Sequence, residues 1–297
     1  MRLPPWTISW TTRLTVGTVF GIALAVSASA ATLYATDVDE DVLVSLDPTT
    51  GVGTAIGPLG FDQVNSLAYV PELDQLFGID WVTNQLLTID RTTGAATAMG
   101  PAGFMVGPGG FANSNAMAYD ANAETLLAFG IRIPYSTGIW PWANEHTLFA
   151  IDTTTGEATY AWDAQQWPNS MTFHPSLGLL GGYDVTYTSN NTELSRVSLV
   201  RGRGQVALDV IGLTGLRNFN GLAYDQARDT IFAVDSGSNA LHTIDAVTGA
   251  SSLVGPTGFE TLNALEVVPT PIPVPALGLP FACCLAWLLR RRLDTTL

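Results

Sequence analysis

Asparagine and aspartate recur at regular intervals along this sequence and are its first candidates for chemistry. Amide and carboxylate oxygens are hard ligands, of the kind that Ca²⁺ takes in sets of six to eight. The alternative is that each oxygen caps its own turn. Five asparagines precede short apolar runs at spacings of 50, 54, 51 and 43 residues, and four aspartates end such runs: Asn65, Asn115, Asn169, Asn220, Asn263, Asp37, Asp80, Asp184 and Asp235.

The runs that begin at these asparagines are copies of one another. Three copies align well, namely "NSLAYVPELDQLFGID" from Asn65, "NAMAYDANAETLLAFG" from Asn115 and "NGLAYDQARDTIFAVD" from Asn220. A weaker copy, "NSMTFHPSLGLLGGYD", starts at Asn169, and "NALEVVP" starts a fifth at Asn263. A period of about 50 residues is typical of propeller and solenoid arrays.

A second hairpin follows in most copies and is marked by an Asp-x-x-Thr-Gly core. Aspartate caps such a turn, and glycine supplies the positive φ that closes it. Two hairpins per copy make four strands, which is the content of one propeller blade. The core occurs four times, at residues 47–51, 90–94, 152–156 and 245–249.

The incomplete copies at the two ends complement each other. Residues 32–37 match a second strand, whereas residues 264–268 match a first strand. The sequence therefore predicts an all-β β-propeller of five four-stranded blades over residues 31–269, closed by its N- and C-terminal strands. Six or seven blades are the alternative, which needs further strands in the insertions. The repeat resembles, in architecture, secreted NHL-like and YWTD-like β-propellers, a resemblance that implies no catalytic motif.

In such a blade, the loop into the first strand and the loop out of the second lie on one face of the ring. We therefore expect the five asparagines to surround one mouth of the central channel, with the four aspartates a step outward. This ring is the predicted ligand site, and Ca²⁺ is the cofactor that it would suit.

An aromatic insertion in the third blade is the second candidate site. Tyr135, Trp140 and Trp142 lie in "GIRIPYSTGIWPWANEH", between the second and third strands. Exposed aromatic rings offer the contact area that sugars and partner proteins use. The alternative is that they cover the blade edge or plug the channel.

Composition excludes several function classes. Residues 31–269 hold seven arginines and 25 acidic residues, so the body should repel nucleic acid. The two cysteines are adjacent, at 283 and 284, which leaves the body without disulfides or thiolate chemistry. The three histidines lack metal-site spacing. A non-enzymatic binding module is favoured, and a metal-dependent hydrolase or lactonase at the channel mouth is the alternative.

The N-terminal 30 residues have the pattern of a secretory signal peptide. Arg2 and Arg13 precede an apolar stretch over residues 14–26, and Ala28-Ser29-Ala30 forms a small-residue cleavage motif. We expect export with cleavage after Ala30; an uncleaved signal anchor is the alternative.

The C-terminal segment, residues 270–297, combines a proline motif, a short apolar stretch and an arginine cluster. Residues 276–289 are too few to span a bilayer comfortably, since about 20 are needed. The segment resembles the PEP-CTERM class of sorting domains, closest to its V-P-L-P-A variant. Thr270 stands where the commoner V-P-E-P form has glutamate. The matching residues are Pro273, Val274, Pro275, Ala276, Arg290, Arg291 and Arg292.

This resemblance implies a place and a partner. It implies a transient membrane anchor through the C-terminal helix, processed by a sorting protease of the exosortase type. The protein would then be displayed at the cell surface or in the extracellular matrix. The expected function is a binding module there, with extracellular polysaccharide or a surface protein as its partner.

Overall fold

The chain is almost entirely β-structure in the computed structural model. Apart from one 3-10 turn at Pro71–Leu73, the described residues form strands joined by turns. None of the described helical structure is long and apolar enough to cross a bilayer. The structure describes residues 31–99, 109–134, 145–164, 168–184, 192–200 and 205–270.

Twenty strands are present in this part of the chain, and most are short. Runs of valine, leucine, isoleucine, threonine and aromatic residues favour them, and turn residues separate them. In chain order they are β1 (Ala31–Asp37), β2 (Val42–Leu46), β3 (Gly53–Pro58), β4 (Val64–Val70), β5 (Gln75–Asp80), β6 (Gln85–Ile89), β7 (Ala96–Met99), β8 (Gly109–Asp120), β9 (Thr125–Pro134), β10 (Glu145–Ile151), β11 (Ala158–Ala164), β12 (Ser170–His174), β13 (Gly178–Asp184), β14 (Thr192–Val200), β15 (Gln205–Leu213), β16 (Phe219–Asp225), β17 (Thr230–Asp235), β18 (Ala240–Ile244), β19 (Ser251–Pro256) and β20 (Leu262–Pro269).

The described strands form units of four antiparallel strands. Unit 1 has the order β20-β1-β2-β3, unit 2 is β4 to β7, and unit 5 is β16 to β19. Units 3 and 4, β8 to β11 and β12 to β15, join into one eight-stranded sheet because their outer strands β11 and β15 pair in parallel. Since β20 pairs with β1, with Leu33 opposite Val267, the predicted closure by the terminal strands is confirmed.

The innermost strands of the units lie next to one another in a ring. Contacts run from β20 to β4, then to β8, β12 and β16, and from β16 back to β20. The predicted all-β propeller is therefore the observed fold. The ring sets all five inner strands around a common channel.

The hydrophobic core lies between neighbouring units. Between units 2 and 3, for example, Phe77 and Ile79 pack with Met117 and Phe149. Burying side chains of this size contributes about 2 kcal/mol each. Because each unit has a core on either side, the propeller needs no disulfide to hold its units together.

The Asp-x-x-Thr-Gly cores form the predicted hairpin turns. Asp90 shows the pattern: its Oδ1 accepts the N–H groups of Thr92 at 2.7 Å and Thr93 at 3.0 Å, and Gly94 has φ +81°. The Thr92 hydroxyl and these N–H groups lower the pKa of Asp90 to about 2. The turns at Asp47, Asp152 and Asp245 have the same backbone hydrogen bonds.

These turns also dock one unit against another. A Cβ on Gly57, in the outer strand of unit 1, would lie 2.2 Å from the carbonyl oxygen of Thr93 in unit 2. Gly255 and Gly212 meet Thr50 and Thr248 in the same way. The glycine late in the outer strands β3, β15 and β19 therefore permits backbone-to-backbone contact with the neighbouring unit.

Candidate functional site

One mouth of the channel opens into a cavity of about 740 Å³, here called the aromatic cavity. Four aromatic residues that line it occupy the same position in successive copies of the repeat, four residues after the recurring asparagine. They are Tyr69, Tyr119, Phe173 and Tyr224, and Val267 occupies this position in β20. Since they lie near the far ends of the inner strands, this mouth is opposite the predicted asparagine mouth.

The tyrosine hydroxyls in this cavity are held by carboxylates. Tyr69 donates its hydroxyl proton to Asp74 at 2.8 Å, Tyr224 donates to Asp229 at 2.7 Å, and Tyr119 is hydrogen-bonded to Glu72. Burial, followed by these carboxylates, raises the pKa of each tyrosine to about 12. The tyrosines are thus neutral at physiological pH, and what they offer to a ligand is chiefly the aromatic ring.

Glu266 is the unusual residue of the cavity lining. It lies on β20, where the other copies of the repeat have Ala68, Ala118, Thr172 and Ala223. Its Oε1 accepts the Val267 N–H at 2.9 Å, and its carboxyl also accepts the Tyr69 N–H from unit 2.

The protonation of Glu266 is shifted by its surroundings. Burial raises the pKa of its carboxyl to about 8, although the two N–H groups partly oppose this. An acid with a pKa so close to neutrality changes charge at physiological pH, and such groups cluster at functional sites.

Thr172 has a related position and contact. Its Oγ1 accepts the N–H of Tyr224 at 3.1 Å, across the gap between units 4 and 5. Both side chains therefore accept N–H groups of a neighbouring inner strand, and N–H groups inside a protein need such a partner. Glu266 has this structural role in addition to any role in binding.

The charges around the cavity are mostly negative. Asp74 pairs with Arg91 at 2.7 Å, and Asp225 pairs with Arg228. None of the cavity-lining residues that the structure describes is basic. Glu266 is the lining carboxyl that has no arginine or histidine partner within the described ranges.

The predicted asparagine mouth lies at the other end of the channel. Asn263 donates its amide N–H to Asn65 Oδ1 at 3.1 Å, so two members of the set meet across units. Asn220 donates to Ser236 Oγ at 2.9 Å, and the Asn169 backbone N–H bonds to Gly182. Asn115 lies in β8, and its side chain is outside the described part.

The aspartates predicted beside this mouth cap turns. Asp37 accepts the N–H groups of residues 39 and 40 and the Thr261 hydroxyl, and Asp80 accepts the N–H groups of residues 82 and 83. Asp235 accepts two N–H groups and the Ser238 hydroxyl. These three are at most 3% exposed, whereas the Asp184 side chain is not described.

The space at the asparagine mouth is small. The cavity there measures about 10 Å³, which is room for about one water molecule. No group of three or more His, Cys, Asp or Glu residues suited to a metal occurs within the described residues. The ligand and Ca²⁺ site at this mouth stays a prediction.

Several predicted features lie outside the described residues. They are the aromatic patch of Tyr135, Trp140 and Trp142, the signal peptide, and the sorting segment with its arginine cluster.

Sequence reasoning did not identify the aromatic cavity, although a signal for it was present. The signal is the aromatic residue that recurs four positions after the asparagine in four copies of the repeat. Glu266 interrupts an otherwise apolar run in the last copy of the repeat, where an acid has no reason to be buried unless it has a partner.

Comparisons with known proteins support the fold and name no family. No family model matches the chain, and no curated protein matches it. Among solved structures, 341 chains match, which means that the fold is common and does not specify a function. One is a chain of a "Crystal structure of Nidogen/Laminin Complex", with a TM-score of 0.50 and 10% identity, covering 80% of this chain and 98% of that one. At this identity the likeness shows the fold alone, and the protein is a β-propeller.

Proposed function

We propose that this protein is an exported β-propeller interaction module that binds its partner in the aromatic cavity. The observation that carries the proposal is the convergence of aromatic side chains from four units on one concave space of about 740 Å³. Ligand sites in proteins are typically clefts of about 300–1,000 Å³, mostly apolar, with a few polar groups. The cavity has this composition, with Glu266 as its unpaired acid.

Export and sorting are part of the same proposal. They rest on the signal-peptide pattern of residues 1–30 and on the PEP-CTERM-like segment, which would be processed by an exosortase-type protease. Ala31, Pro269 and Thr270 line the cavity, so the described part of the chain begins and ends beside the proposed binding site.

The partner class follows from the location. At the cell surface or in the extracellular matrix, the available partners are polysaccharides and surface proteins. The nidogen/laminin structure is a protein complex that contains a propeller of this fold, which is consistent with an interaction role.

The test is retention of the full-length protein on matrix prepared from its native cells. Tyr119→Ala and Tyr224→Ala should each weaken retention by about tenfold or more, as loss of a buried aromatic anchor does. Tyr224→Phe should retain binding, since the ring remains. The matched control is Tyr160→Ala, which removes a 45%-exposed tyrosine from the outer strand β11.

Circular dichroism and melting curves would establish that each variant is folded. If folded Tyr119→Ala and Tyr224→Ala bind as well as the wild-type protein, the aromatic cavity is not the binding site. Loss of retention with Trp140→Ala and Trp142→Ala instead would place binding on the aromatic insertion of the third blade.

A further inference from the structure

The aromatic cavity is lined by one carboxyl, that of Glu266, that forms no ion pair within the described residues. The carboxylates of Asp74 and Asp225 are neutralised by arginines, whereas among the described residues the Glu266 carboxyl is held by the backbone N–H groups of Val267 and Tyr69. A carboxylate that has been withdrawn from water without a cation is costly. A cationic ligand would remove this cost, so the site is complementary to positive charge.

The aromatic walls favour the same kind of ligand. Ring faces attract cations within about 6 Å of the centroid. One instance is already present, because the Arg91 guanidinium carbon lies 5.4 Å from the centroid of the Tyr69 ring. Each tyrosine also donates its hydroxyl proton to a carboxylate, which polarises the ring and makes its face more negative. Tyr119, Phe173 and Tyr224 provide further ring surface.

We propose that the aromatic cavity binds a primary ammonium group on an alkyl chain, namely a lysine side chain of a partner polypeptide, with Glu266 as its counter-ion. This inference rests on the proposed function and specifies its ligand.

The shape of the charged group distinguishes lysine from arginine. An ammonium is a compact point charge whose three N–H donors can be shared between one carboxylate oxygen and other acceptors, whereas a guanidinium fork pairs best with both carboxylate oxygens in one plane. Glu266 already accepts the Val267 N–H at Oε1 and a further bond from Tyr69 N–H, so part of its acceptor capacity is used, and a point charge fits the remainder better than a planar fork.

The alkyl stem and the proton balance fit lysine as well. A lysine stem packs on apolar surface while its head remains at a polar group. Ala118, Ala227 and Val267 supply such surface in the cavity. At neutral pH the free Glu266 carboxyl is largely protonated, because its pKa is about 8. Formation of the ion pair therefore releases this proton to solvent, while the lysine, with an ordinary pKa of about 10.4, keeps its own.

The experiment measures binding of three peptides to the full-length protein in mild detergent by isothermal titration calorimetry. The peptides are acetyl-Gly-Gly-Lys-Gly-Gly-amide and its ε-acetyl-lysine and ε-trimethyl-lysine forms. The acetyl form removes the charge, and the trimethyl form keeps the charge but cannot donate a hydrogen bond. We expect the lysine peptide to bind at least about tenfold more tightly than the acetyl form, because an ion pair and cation–π contacts are lost.

Glu266→Gln is the central variant, since it keeps the shape and removes the charge. It should weaken the lysine peptide by about tenfold or more and leave the acetyl form unchanged. The matched control is Glu157→Gln, which removes one exposed carboxylate from a hairpin that does not line the cavity. Equal affinity for the lysine and acetyl peptides, or a lysine affinity insensitive to Glu266→Gln, would overturn the proposal.

A second measurement does not depend on any variant. A lysine peptide with a photoreactive diazirine on the next residue should cross-link to cavity residues, mapped by mass spectrometry. Cross-links confined to surfaces away from the cavity would overturn the proposal. Binding of a glucosamine tetramer without binding of the lysine peptide would overturn the polypeptide source.

The proposed function and this inference can fail separately. If no peptide binds but Tyr119→Ala and Tyr224→Ala still lose matrix retention, the cavity is a binding site for a different ligand. If retention is also unaffected, both are wrong.

Discussion

The partly buried side chain of Glu266 should make stability fall as pH rises. Burial raises the pKa of this group from 4.5 to about 8. Between these values the folded protein holds a proton that the unfolded chain releases. The contribution is therefore fully present below pH 4.5 and is lost as pH rises through about 8.

The size of the effect follows from the shift. One pKa unit corresponds to about 1.4 kcal/mol, so the full shift would amount to about 5 kcal/mol. Water in the open cavity stabilises the carboxylate and reduces this, so we expect about 2–4 kcal/mol. For a domain of this length, that corresponds to roughly 5–15 °C in melting temperature.

The assay compares wild-type protein with Glu266→Gln at pH 5, 7 and 9 by urea and thermal unfolding. Many acids titrate over this range, but they are common to both proteins, so the difference isolates residue 266. The wild-type protein should lose about 2–4 kcal/mol relative to the variant between pH 5 and 9. The Glu157→Gln control should show no such trend. A difference between wild type and Glu266→Gln that stays constant within about 0.5 kcal/mol would refute the reasoning.

Three further predictions follow from the turns and the channel. Gly57→Ala should destabilise the fold by about 2–3 kcal/mol, since its Cβ would lie 2.2 Å from the Thr93 oxygen. The control Gly60→Ala meets no atom within 4 Å and should cost about 1 kcal/mol through its positive φ. Equal losses of stability for the two variants in urea unfolding would contradict this. The pKa of Asp90 is lowered to about 2, so its contribution is present above pH 3.8 and lost as pH falls through about 2. The stability advantage of wild type over Asp90→Asn should therefore shrink between pH 5 and pH 2 in thermal melts. Addition of Ca²⁺ or of a chelator should leave the melting temperature unchanged, because the described aspartates at the asparagine mouth accept hydrogen bonds within turns. A higher melting temperature in Ca²⁺ would instead support the cation site predicted from the sequence.

Much of the fold was predictable from the sequence because its determinants are local and repeated. The Asp-x-x-Thr-Gly turns depend on hydrogen bonds within five residues, as at Asp90. The first copy of the repeat begins at its second strand and the last copy ends at its first strand, which predicted the pairing that β1 and β20 make. A repeat allows this because each copy specifies its neighbour by the same interface.

The candidate site was only partly predictable. The sequence placed the recurring asparagines at one end of the inner strands, and the structure brings Asn65 and Asn263 together there. Which mouth is open was not predictable, because the size of a cavity depends on how side chains from all the units pack. The open mouth is the one beside Tyr119 and Glu266.

The amino-acid pattern was sufficient to predict the strands, their turns, their grouping in fours and the closure of the ring, since each depends on short-range pattern or on repetition of one unit. The aromatic cavity, the pairing of Asp74 and Asp225 with arginines, and the raised pKa of Glu266 are seen only in the folded chain. The same is true of the parallel pairing of β11 with β15. These features depend on burial and on contacts between units, which no single copy of the repeat encodes.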